Sequence, residues 1–484
     1  MSSENGISAP NSSIEKWVCS AKKTLVRFFN GRAYPAIIAA LVAVGHITGA
    51  EFYFSIPFLI LASLALVLCE STKSLMMPML VFVFQITLKH SPGWPTLSKY
   101  YFEGARLVIL LLLAALVFGS LGYRFVVCLR TGLKKHTQML APLCVLSAAF
   151  ILNGTFSSAW NAVSLLIGFI EAVVYFLTFY IFYIGLSEES TDGLLSYFCY
   201  ITLLTAFVLI IEVAFMFLTY DGIIVDGSVI KEKVNLGWGI WNPIGFSLTV
   251  LIPILVLGGM RMRYPAVYIT ASVLTYLCAV LTMSRNALIF ASLALLVCYT
   301  VGCFAGNRKL LFRIITLAGV VCVLVVAFLL REKIAEIFAT VMNQGFDDNG
   351  RFEHWKIGFQ SFLSAVPFGI GFCGIGTGSD IANFIPAMAH NTVVQILSAM
   401  GIFGLAAYAF YRIRSLEPFI KKPSLEKSML LIPILITVGM SLIDNFVFYV
   451  YTVFYYSMSM AIAFIIYDRE KTEITKPKLN ALTN

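Results

Sequence analysis

The chain has 484 residues, of which 59% are hydrophobic and 12% are charged, and its mean hydropathy is +0.88. Soluble domains carry about 25% charged residues, so this composition excludes an ordinary cytosolic or secreted enzyme. A net charge of +9 would suggest nucleic-acid binding in a soluble protein. In so apolar a chain, however, the cations first indicate which side of a membrane each loop faces. We therefore expect a protein of the lipid bilayer with no nucleic-acid partner.

Apolar segments follow one another along the chain, and many are close to the roughly 20 residues that a helix needs to cross a bilayer. They predict an all-α, polytopic integral membrane protein with about 12–14 transmembrane helices. The polar stretch before them has basic residues but no cleavage site after a short apolar region, which favours a cytoplasmic tail over a signal peptide. The predicted segments are 34–49, 52–69, 75–88, 106–122, 139–152, 162–186, 197–219, 241–259, 264–283, 286–304, 309–330, 389–411, 428–447 and 448–467.

Lys and Arg residues cluster in alternate loops, which predicts the topology because cytoplasmic loops are enriched in these residues. Both termini are then cytoplasmic in this multi-pass protein. The cationic set comprises the N-terminal tail, 124–135, 261–263, 307–309, 412–427 and 468–478. The extracytoplasmic set comprises 89–105, 153–161, 220–240, 284–286 and 331–388.

The longest predicted loop divides the apolar part of the chain. The sequence predicts a cytoplasmic N-terminal tail (1–33), a transmembrane bundle (34–330), a large extracytoplasmic loop (331–388), further transmembrane helices (389–467) and a cytoplasmic C-terminal tail (468–484). Aromatic and aliphatic residues at helical spacing predict an interfacial helix on the outer leaflet; they are Phe352, Trp355, Phe359, Phe362, Leu363 and Val366. Arg351, His354 and Gly358 share its opposite face.

Two arginines and a histidine on the predicted outer side suggest a particular chemistry. Guanidinium groups hold phosphate oxygens through paired donors, so Arg285 and Arg351 are candidates for binding a pyrophosphate leaving group. A hydroxyl that attacks an anomeric carbon needs a base that titrates near neutral pH, and His390 is the candidate. Each also has a structural interpretation. Arg285 can snorkel, Arg351 can pair with Glu353 or lipid phosphates, and His390 can be an ordinary helix-end residue.

The sequence gives little sign of a metal or cofactor. Its ten cysteines form no CxxC pair or spaced cluster, which argues against a metal site and a disulfide framework. Asp347 and Asp348 can ligate a divalent cation, although capping of the following helix is the simpler interpretation. The expectation is a metal-independent site without a cofactor.

Several polar residues in or beside the apolar segments stay ambiguous. Glu171 and Glu212 lie well inside segments, where an ionised carboxylate is costly, so they are protonated, paired within the bundle or lining a substrate cavity. Asp444 and Asn445, near the outer end of a late segment, have the same ambiguity. His354 either faces solvent and headgroups or takes part in catalysis.

From about residue 235 to 465 the chain resembles the O-antigen ligase and polymerase superfamily of bacterial membrane glycosyltransferases. The motifs stand in the expected order and on one predicted side of the membrane. They are Asn235-Leu-Gly-Trp-Gly-Ile-Trp-Asn242-Pro-Ile-Gly245, Thr282-Met-Ser-Arg285-Asn286, Gly350-Arg351 with Trp355, Pro367-Phe-Gly-Ile-Gly371, and His390-Asn391 with Gly401-Ile-Phe-Gly404.

The resemblance implies a GT-C-like fold in the bacterial cytoplasmic (inner) membrane and a metal-independent glycosyltransferase. Such an enzyme moves a glycan from undecaprenyl pyrophosphate to a sugar hydroxyl at the outer face. By this similarity, Arg285 and Arg351 bind the pyrophosphate and His390 deprotonates or positions the acceptor. Asn242, Asn391 and Trp355 are expected to help bind the substrate.

The acceptor stays open on sequence grounds. A polymerase uses a lipid-linked repeat unit, a ligase uses a lipid A core, and a third branch glycosylates proteins; the absence of an added protein-gripping domain favours the first two. The alternative class is a transporter or flippase for a polar or lipid-linked substrate, which Glu171 and Glu212 would suit. The large outer loop and the outer arginines favour the enzyme.

Overall fold

The computed structural model describes residues 13–86, 103–132, 138–158, 160–225, 227–329, 331–332, 350–372 and 389–480. These residues are almost entirely helical, and their one sheet is a short antiparallel hairpin of β1 (Ile224–Val225) and β2 (Ser228–Val229). The all-α, polytopic membrane class predicted from the sequence is therefore confirmed.

All fourteen predicted apolar segments overlap a helix. In chain order the helices are α1 (Ser13–Phe29), α2 (Ala33–Thr48), α3 (Glu51–Leu68), α4 (Lys73–Ile86), α5 (Gly104–Gly132), α6 (Leu140–Ile151), α7 (Ala162–Gly185), α8 (Thr191–Thr219), α9 (Trp241–Thr249), α10 (Ile252–Arg261), α11 (Pro265–Leu281), α12 (Arg285–Phe304), α13 (Lys309–Leu329), α14 (Arg351–Ser364), α15 (Thr392–Ser415), α16 (Glu417–Lys421), α17 (Leu425–Ser441) and α18 (Val450–Asn480). Short 3-10 turns occur at Lys231–Lys233 and Phe446–Phe448.

The number of full-length spans among the described residues is smaller than the predicted 12–14. Eight helices are long and apolar enough to cross a membrane, or nine if the pair of α1 and α2, bent by 64°, counts as one span. Three further apolar helices, α4, α6 and α11, have only 14, 12 and 17 residues.

Polar side chains cap the helices where the sequence changes from loop to apolar segment. The side chains of Asn161, Ser190, Ser284, Asn391 and Ser424 accept hydrogen bonds from the first-turn N–H groups of α7, α8, α12, α15 and α17. These bonds satisfy donors that have no partner within the helix.

The centre of the molecule is formed by α9, α10 and α18. In the apolar stretch of Trp241–Arg261 all residues are buried, and in that of Val450–Lys471 89% of them are buried. In the apolar stretch of α5 only 11% of the residues are buried. The central span is discontinuous, since α9 ends at Thr249 and α10 starts at Ile252. Helix α5 lies at the edge, where its side chains are available to lipid.

Ion pairs join the loops that carry the predicted cytoplasmic charge. Lys73 pairs with Glu189 at 3.1 Å, and Lys427 with Glu470 at 2.7 Å. Arg261 at the end of α10 pairs with Asp192 at 2.6 Å and also with Glu426. All these groups lie at one end of the bundle. We name it the basic end.

At the other end, the segment from Pro367 to Gly371 inserts beside a break in α15. Gly401 interrupts that helix with φ 66° and ψ −159°, a conformation that suits glycine. The N–H groups of Ile370 and Gly371 donate to the carbonyls of Ser398 and Ala399 at 2.8 and 3.0 Å, and Ile402 donates to Pro367 at 2.9 Å. The inserted segment thus satisfies backbone groups that the break would leave unpaired inside the bundle.

Candidate functional site

Three helices begin at the candidate site, each after a residue in the left-handed conformation. Met283 (φ 56°) precedes the start of α12 at Arg285, Gly350 (φ 72°) precedes α14 at Arg351, and His390 (φ 48°) lies just before α15. Such a residue reverses the chain just before the helix. The N-terminal N–H groups of a helix carry a partial positive charge that favours anions, as do the two arginines.

A third cation, Lys231, lies with the two arginines. Burial lowers the pKa of its ammonium group, and the charges of Arg285 and Arg351 lower it further, while Glu232 raises it. The Lys231 Nζ lies 5.0 Å from the centre of the Trp241 ring, at the start of α9. Lys231, which sequence reasoning missed, is therefore within electrostatic reach of both Arg285 and Arg351, although the two arginines are 66 positions apart in sequence. We call Lys231, Arg285 and Arg351 the cation cluster.

The sequence did contain an indication that Lys231 has a functional role. The loop 220–240 contains Lys231 and Lys233 although the alternation of charge assigns it to the extracytoplasmic side. A cation on that side runs against the usual bias of membrane proteins and so suggests a functional role.

His390 lies next to a buried carboxylate. Its Nδ1 is 3.5 Å from Oδ1 of Asp444, and the side chains are 32% and 5% exposed. The pair is an ion-pair contact rather than a well-formed hydrogen bond, because His390 Nδ1 has no partner with hydrogen-bond geometry among the described residues. The N–H of Asn445 donates to the same carboxylate oxygen at 2.8 Å. Asp444, ambiguous in the sequence, is thus the acidic group nearest to the candidate base among the contacts of the described residues.

Asn242 connects the carboxylate to the start of α12. Its Nδ2 donates to Oδ2 of Asp444 at 3.3 Å, and its Oδ1 accepts from the hydroxyl of Ser284 at 2.7 Å. Ser284 in turn caps the helix that begins at Arg285. Asn242 therefore fixes the distance between the cation cluster and the pair of His390 and Asp444.

Asn391 directly follows His390 and holds the start of α15. Its Oδ1 accepts from the N–H groups of Val393 and Val394 at 2.9 and 3.1 Å, and its Nδ2 donates to the carbonyl of Leu442 at 2.8 Å. The contacts seen for this side chain are thus structural ones, and they position His390.

Trp355 and His354 lie on α14, and the ring of His354 is close to that of His390. The ring of His354 is centred 5.8 Å from that of His390, and the Trp355 ring packs edge to face on Phe352 at 5.2 Å. Trp355 Nε1 is buried and has no hydrogen-bond partner among the described residues. His354, which the sequence left ambiguous, contacts the candidate base, whereas Trp355, which was expected at the site, contacts its own helix.

The helix that begins at Arg351 has one exposed apolar face, whereas Phe362, predicted on that face, is buried. Phe352, Phe359 and Leu363 are 66%, 50% and 58% exposed, so this apolar face points away from the protein. On the other side, a β-carbon placed on Gly358 would lie 2.6 Å from Val394 of α15. The small residue lets α14 and α15 approach closely, which keeps Arg351 and His390 together.

The two glutamates within the apolar helices have different surroundings, since Glu212 is buried and Glu171 is partly exposed. Glu212 accepts a hydrogen bond from Trp238 Nε1 at 2.8 Å and so holds the loop that leads to Asn242. Glu171 lies in α7, and no hydrogen bond among the described residues joins it to the site. Asp347 and Asp348 lie outside the described residues. Within the described part of the chain, no group of three His, Cys, Asp or Glu side chains is arranged to hold a metal ion.

Residues 270–409 match the family model described as O-antigen ligase. The matched segment runs from α11 into α15 and contains Arg285, Arg351 and His390, while Lys231 and Asp444 lie outside it. No curated protein matches the chain significantly.

Proposed function

The match supports membership of this chain in the O-antigen ligase family, and from this premise we propose that it transfers a glycan from undecaprenyl pyrophosphate to a sugar hydroxyl. The coarser role, a membrane glycosyltransferase-type enzyme of polysaccharide assembly, rests directly on the family. The single observation that carries the finer proposal is the link through Asn242, which is hydrogen-bonded both to Asp444, the neighbour of His390, and to Ser284, the residue before Arg285.

The cation cluster suits a diphosphate leaving group. When the bond between the anomeric carbon and the diphosphate breaks, negative charge grows on the departing oxygen. Arg285, Arg351 and Lys231 can stabilise that charge with preorganised donors, and the starts of α12 and α14 add their partial charges. This arrangement supports the proposal of metal-independent chemistry, because fixed cations supply the charge stabilisation that a divalent ion would otherwise give.

His390 is proposed as the base that activates the acceptor. The acceptor oxygen forms a bond to the anomeric carbon, the bond from that carbon to the diphosphate oxygen breaks, and the hydroxyl proton passes to the imidazole. Asp444 stabilises the imidazolium and fixes the ring, as a carboxylate beside a catalytic histidine does. Direct displacement inverts the anomeric configuration. Asn242, Asn391 and Trp355 belong to the rim of this site in the proposal.

The charge of the loops supports the proposed orientation. The cations of the basic end indicate that it faces the cytoplasm, with both termini inside and the site at the outer face of the bacterial inner membrane. In this orientation residues 331–388 form the large extracytoplasmic loop. A lipid-linked donor reaches the site from the outer leaflet, and the acceptor is a lipid-linked repeat unit or a lipid A core.

The deciding experiment is the glycan profile of cells that lack the protein, complemented with the wild type or with His390→Ala. If cells that lack the protein carry only single repeat units on the lipid and at the surface, the protein is a polymerase. If these cells accumulate long chains on the lipid while the surface acceptor carries no glycan, the protein is a ligase. The variant must reproduce the deletion phenotype at normal membrane abundance. An unchanged profile in the deletion strain contradicts the proposal and leaves transport or flipping as the alternative.

A further inference from the structure

A large cavity lies at the basic end, far from the candidate site. It has a volume of about 900 Å³ and is bounded by α1, α3, α5, α7 and the turn before α8. The span formed by α9 and α10 separates the two regions, since Asn242 is near its beginning and Arg261, paired with Asp192, is at its end. The proposed glycosyl transfer makes no use of this cavity.

Arg124 lines the cavity and is nearly inaccessible. The residue is 6% exposed, and it makes no hydrogen bond or ion pair within the part of the chain that the structure describes. The charge of Arg124 affects the thiol of Cys69. Burial raises the pKa of this thiol, and the hydrogen bond with Ser74 and the charges of Arg124 and Lys73 lower it. A buried guanidinium without an anionic partner is unfavourable by several kcal/mol. The observation points to a bound anion.

The remaining lining is apolar toward the helices and charged toward the opening. Val67, Leu68, Val127 and Ile184 form apolar wall, and Val26 of the amphipathic helix α1 adds to it. The lining also includes Lys22 and the exposed carboxylates of Glu70 and Glu188. A ligand that carries only negative charge would be repelled by the Glu70 carboxylate. A headgroup that carries both charges can bind Arg124 through its anion and Glu70 through its cation.

The depth of the cavity indicates where such a ligand comes from. Three candidate spans end beside it, at Leu68, Cys128 and Gly185. The ends of spans lie at the level of the phospholipid headgroups. Helix α5, which supplies Arg124, has only 11% of its span buried by protein and so borders the bilayer. A lipid can therefore enter sideways from the leaflet.

We propose that this cavity binds a phospholipid with an amine in its headgroup. The phosphodiester lies against Arg124, the ammonium lies beside Glu70, and the acyl chains leave along the apolar wall. This assignment is independent of the proposed glycosyl transfer, because it concerns the opposite end of the molecule and is tested without a glycan substrate.

Native mass spectrometry of the full-length protein in detergent tests the binding. The protein is titrated with phosphatidylethanolamine, phosphatidylglycerol and phosphatidylcholine that carry the same acyl chains. We expect one phosphatidylethanolamine to bind in preference to the other two. Arg124→Gln should weaken this binding by about tenfold or more, because the charge-assisted hydrogen bonds to the phosphate are lost. The matched control is Arg130→Gln on the same helix, which is exposed outside the cavity and should bind as the wild type does.

Two further arms separate the possible sources of the phosphate. Glycerophosphoethanolamine and inorganic phosphate have no acyl chains, and competition by either at the lipid's own concentration would overturn the lipid assignment. Equal or tighter binding of phosphatidylglycerol would overturn the amine assignment. Glu70→Gln should reduce the preference for phosphatidylethanolamine over phosphatidylglycerol.

Thermal unfolding provides a readout that a purely structural arginine would not give. In delipidated detergent, Arg124→Gln should unfold at the same temperature as the wild type or higher, because it removes a buried charge without a partner. Added phosphatidylethanolamine should then raise the unfolding temperature of the wild type and of Arg130→Gln but not of Arg124→Gln. A variant that is less stable without lipid would show that Arg124 already has a protein partner and would overturn the proposal.

Discussion

His390 has a backbone conformation that positions it at the turn before α15, with its ring beside the buried carboxylate of Asp444. We predict that His390→Ala lowers the rate of glycan transfer by about 10²–10⁴-fold, the usual contribution of a general base. Asp444→Asn should lower kcat while leaving the KM for the donor nearly unchanged, because the amide keeps the shape but cannot stabilise an imidazolium. The measurement is transfer by purified protein in vesicles. Full activity of His390→Ala would remove the general-base assignment.

Arg285 is predicted to act through the shape of its guanidinium and not through charge alone. Arg285→Lys retains the charge but loses the paired donors that match phosphate oxygens, so donor turnover should fall by about tenfold or more. Arg263→Lys at the basic end is the control, since this residue is exposed in the loop before α11. Equal rates for Arg285→Lys and the wild type would indicate that Arg285 only anchors the helix at the interface.

Lys231 gives the cation cluster a titratable member. Because burial and the two arginines lower its pKa, it loses its proton at a lower pH than the ordinary lysine value of about 10.4. Activity should therefore fall on the alkaline side as the cluster loses this charge. Arg285→Gln should move the alkaline limb of the pH–rate profile to higher pH, because it removes one of the charges that lower the pKa of Lys231. Lys231→Gln should abolish the limb and weaken donor binding at all pH values. A pH–rate profile that is the same in all three proteins would exclude Lys231 from the site.

At the scale of elements, the break in α15 is required for the insertion of residues 367–371. A β-carbon on Gly401 would lie 1.8 Å from the carbonyl oxygen of Pro367, and the positive φ adds strain. Gly401→Ala should reduce the free energy of unfolding by about 1–3 kcal/mol through overpacking, with about 1–2 kcal/mol more from the left-handed conformation. Gly319→Ala on α13 is the control, because nothing lies within 4 Å of its β-carbon. Thermal unfolding in detergent compares the two, and equal stability would contradict the inserted arrangement.

The helices themselves could be predicted from the sequence, but their interruptions could not. Hydropathy located a helix at each apolar segment, and the spacing of Phe352, Trp355 and Phe359 predicted α14. The break at Gly401 and the gap between α9 and α10 depend on which backbone groups find partners in the packed bundle. A count of apolar residues contains no such information.

At the scale of the whole molecule, the candidate site is assembled from four separate stretches of chain. Arg285, Arg351 and His390 could be proposed from their residue types and predicted side, because few polar groups occur there. Asp444 could be noticed but not assigned, since its contact with His390 joins positions 54 residues apart. Lys231 was missed because it stands outside any motif. Long-range packing, which the sequence does not display, brings these groups together.

The proposed orientation predicts which loops a membrane-impermeant thiol reagent can reach. In a cysteine-free background, Asp221→Cys, in the exposed loop after α8, should react in intact spheroplasts. Arg263→Cys should react only after permeabilisation. Both positions are exposed in the structure, so a difference in labelling reports the side of the membrane. The reverse pattern would place the candidate site on the cytoplasmic side and contradict an outer-face reaction.

The close packing of α14 on α15 at Gly358 has a consequence for how such proteins diversify. Arg351 and His390 are carried by neighbouring helices of one continuous stretch of chain, 350–415. Recombination between relatives that exchanges this stretch as a block would transmit the proposed base and one proposed phosphate-binding cation as a matched pair. A crossover inside it breaks the pair. Chimeric proteins joined outside this block should therefore keep their chemistry while exchanging the features that select an acceptor.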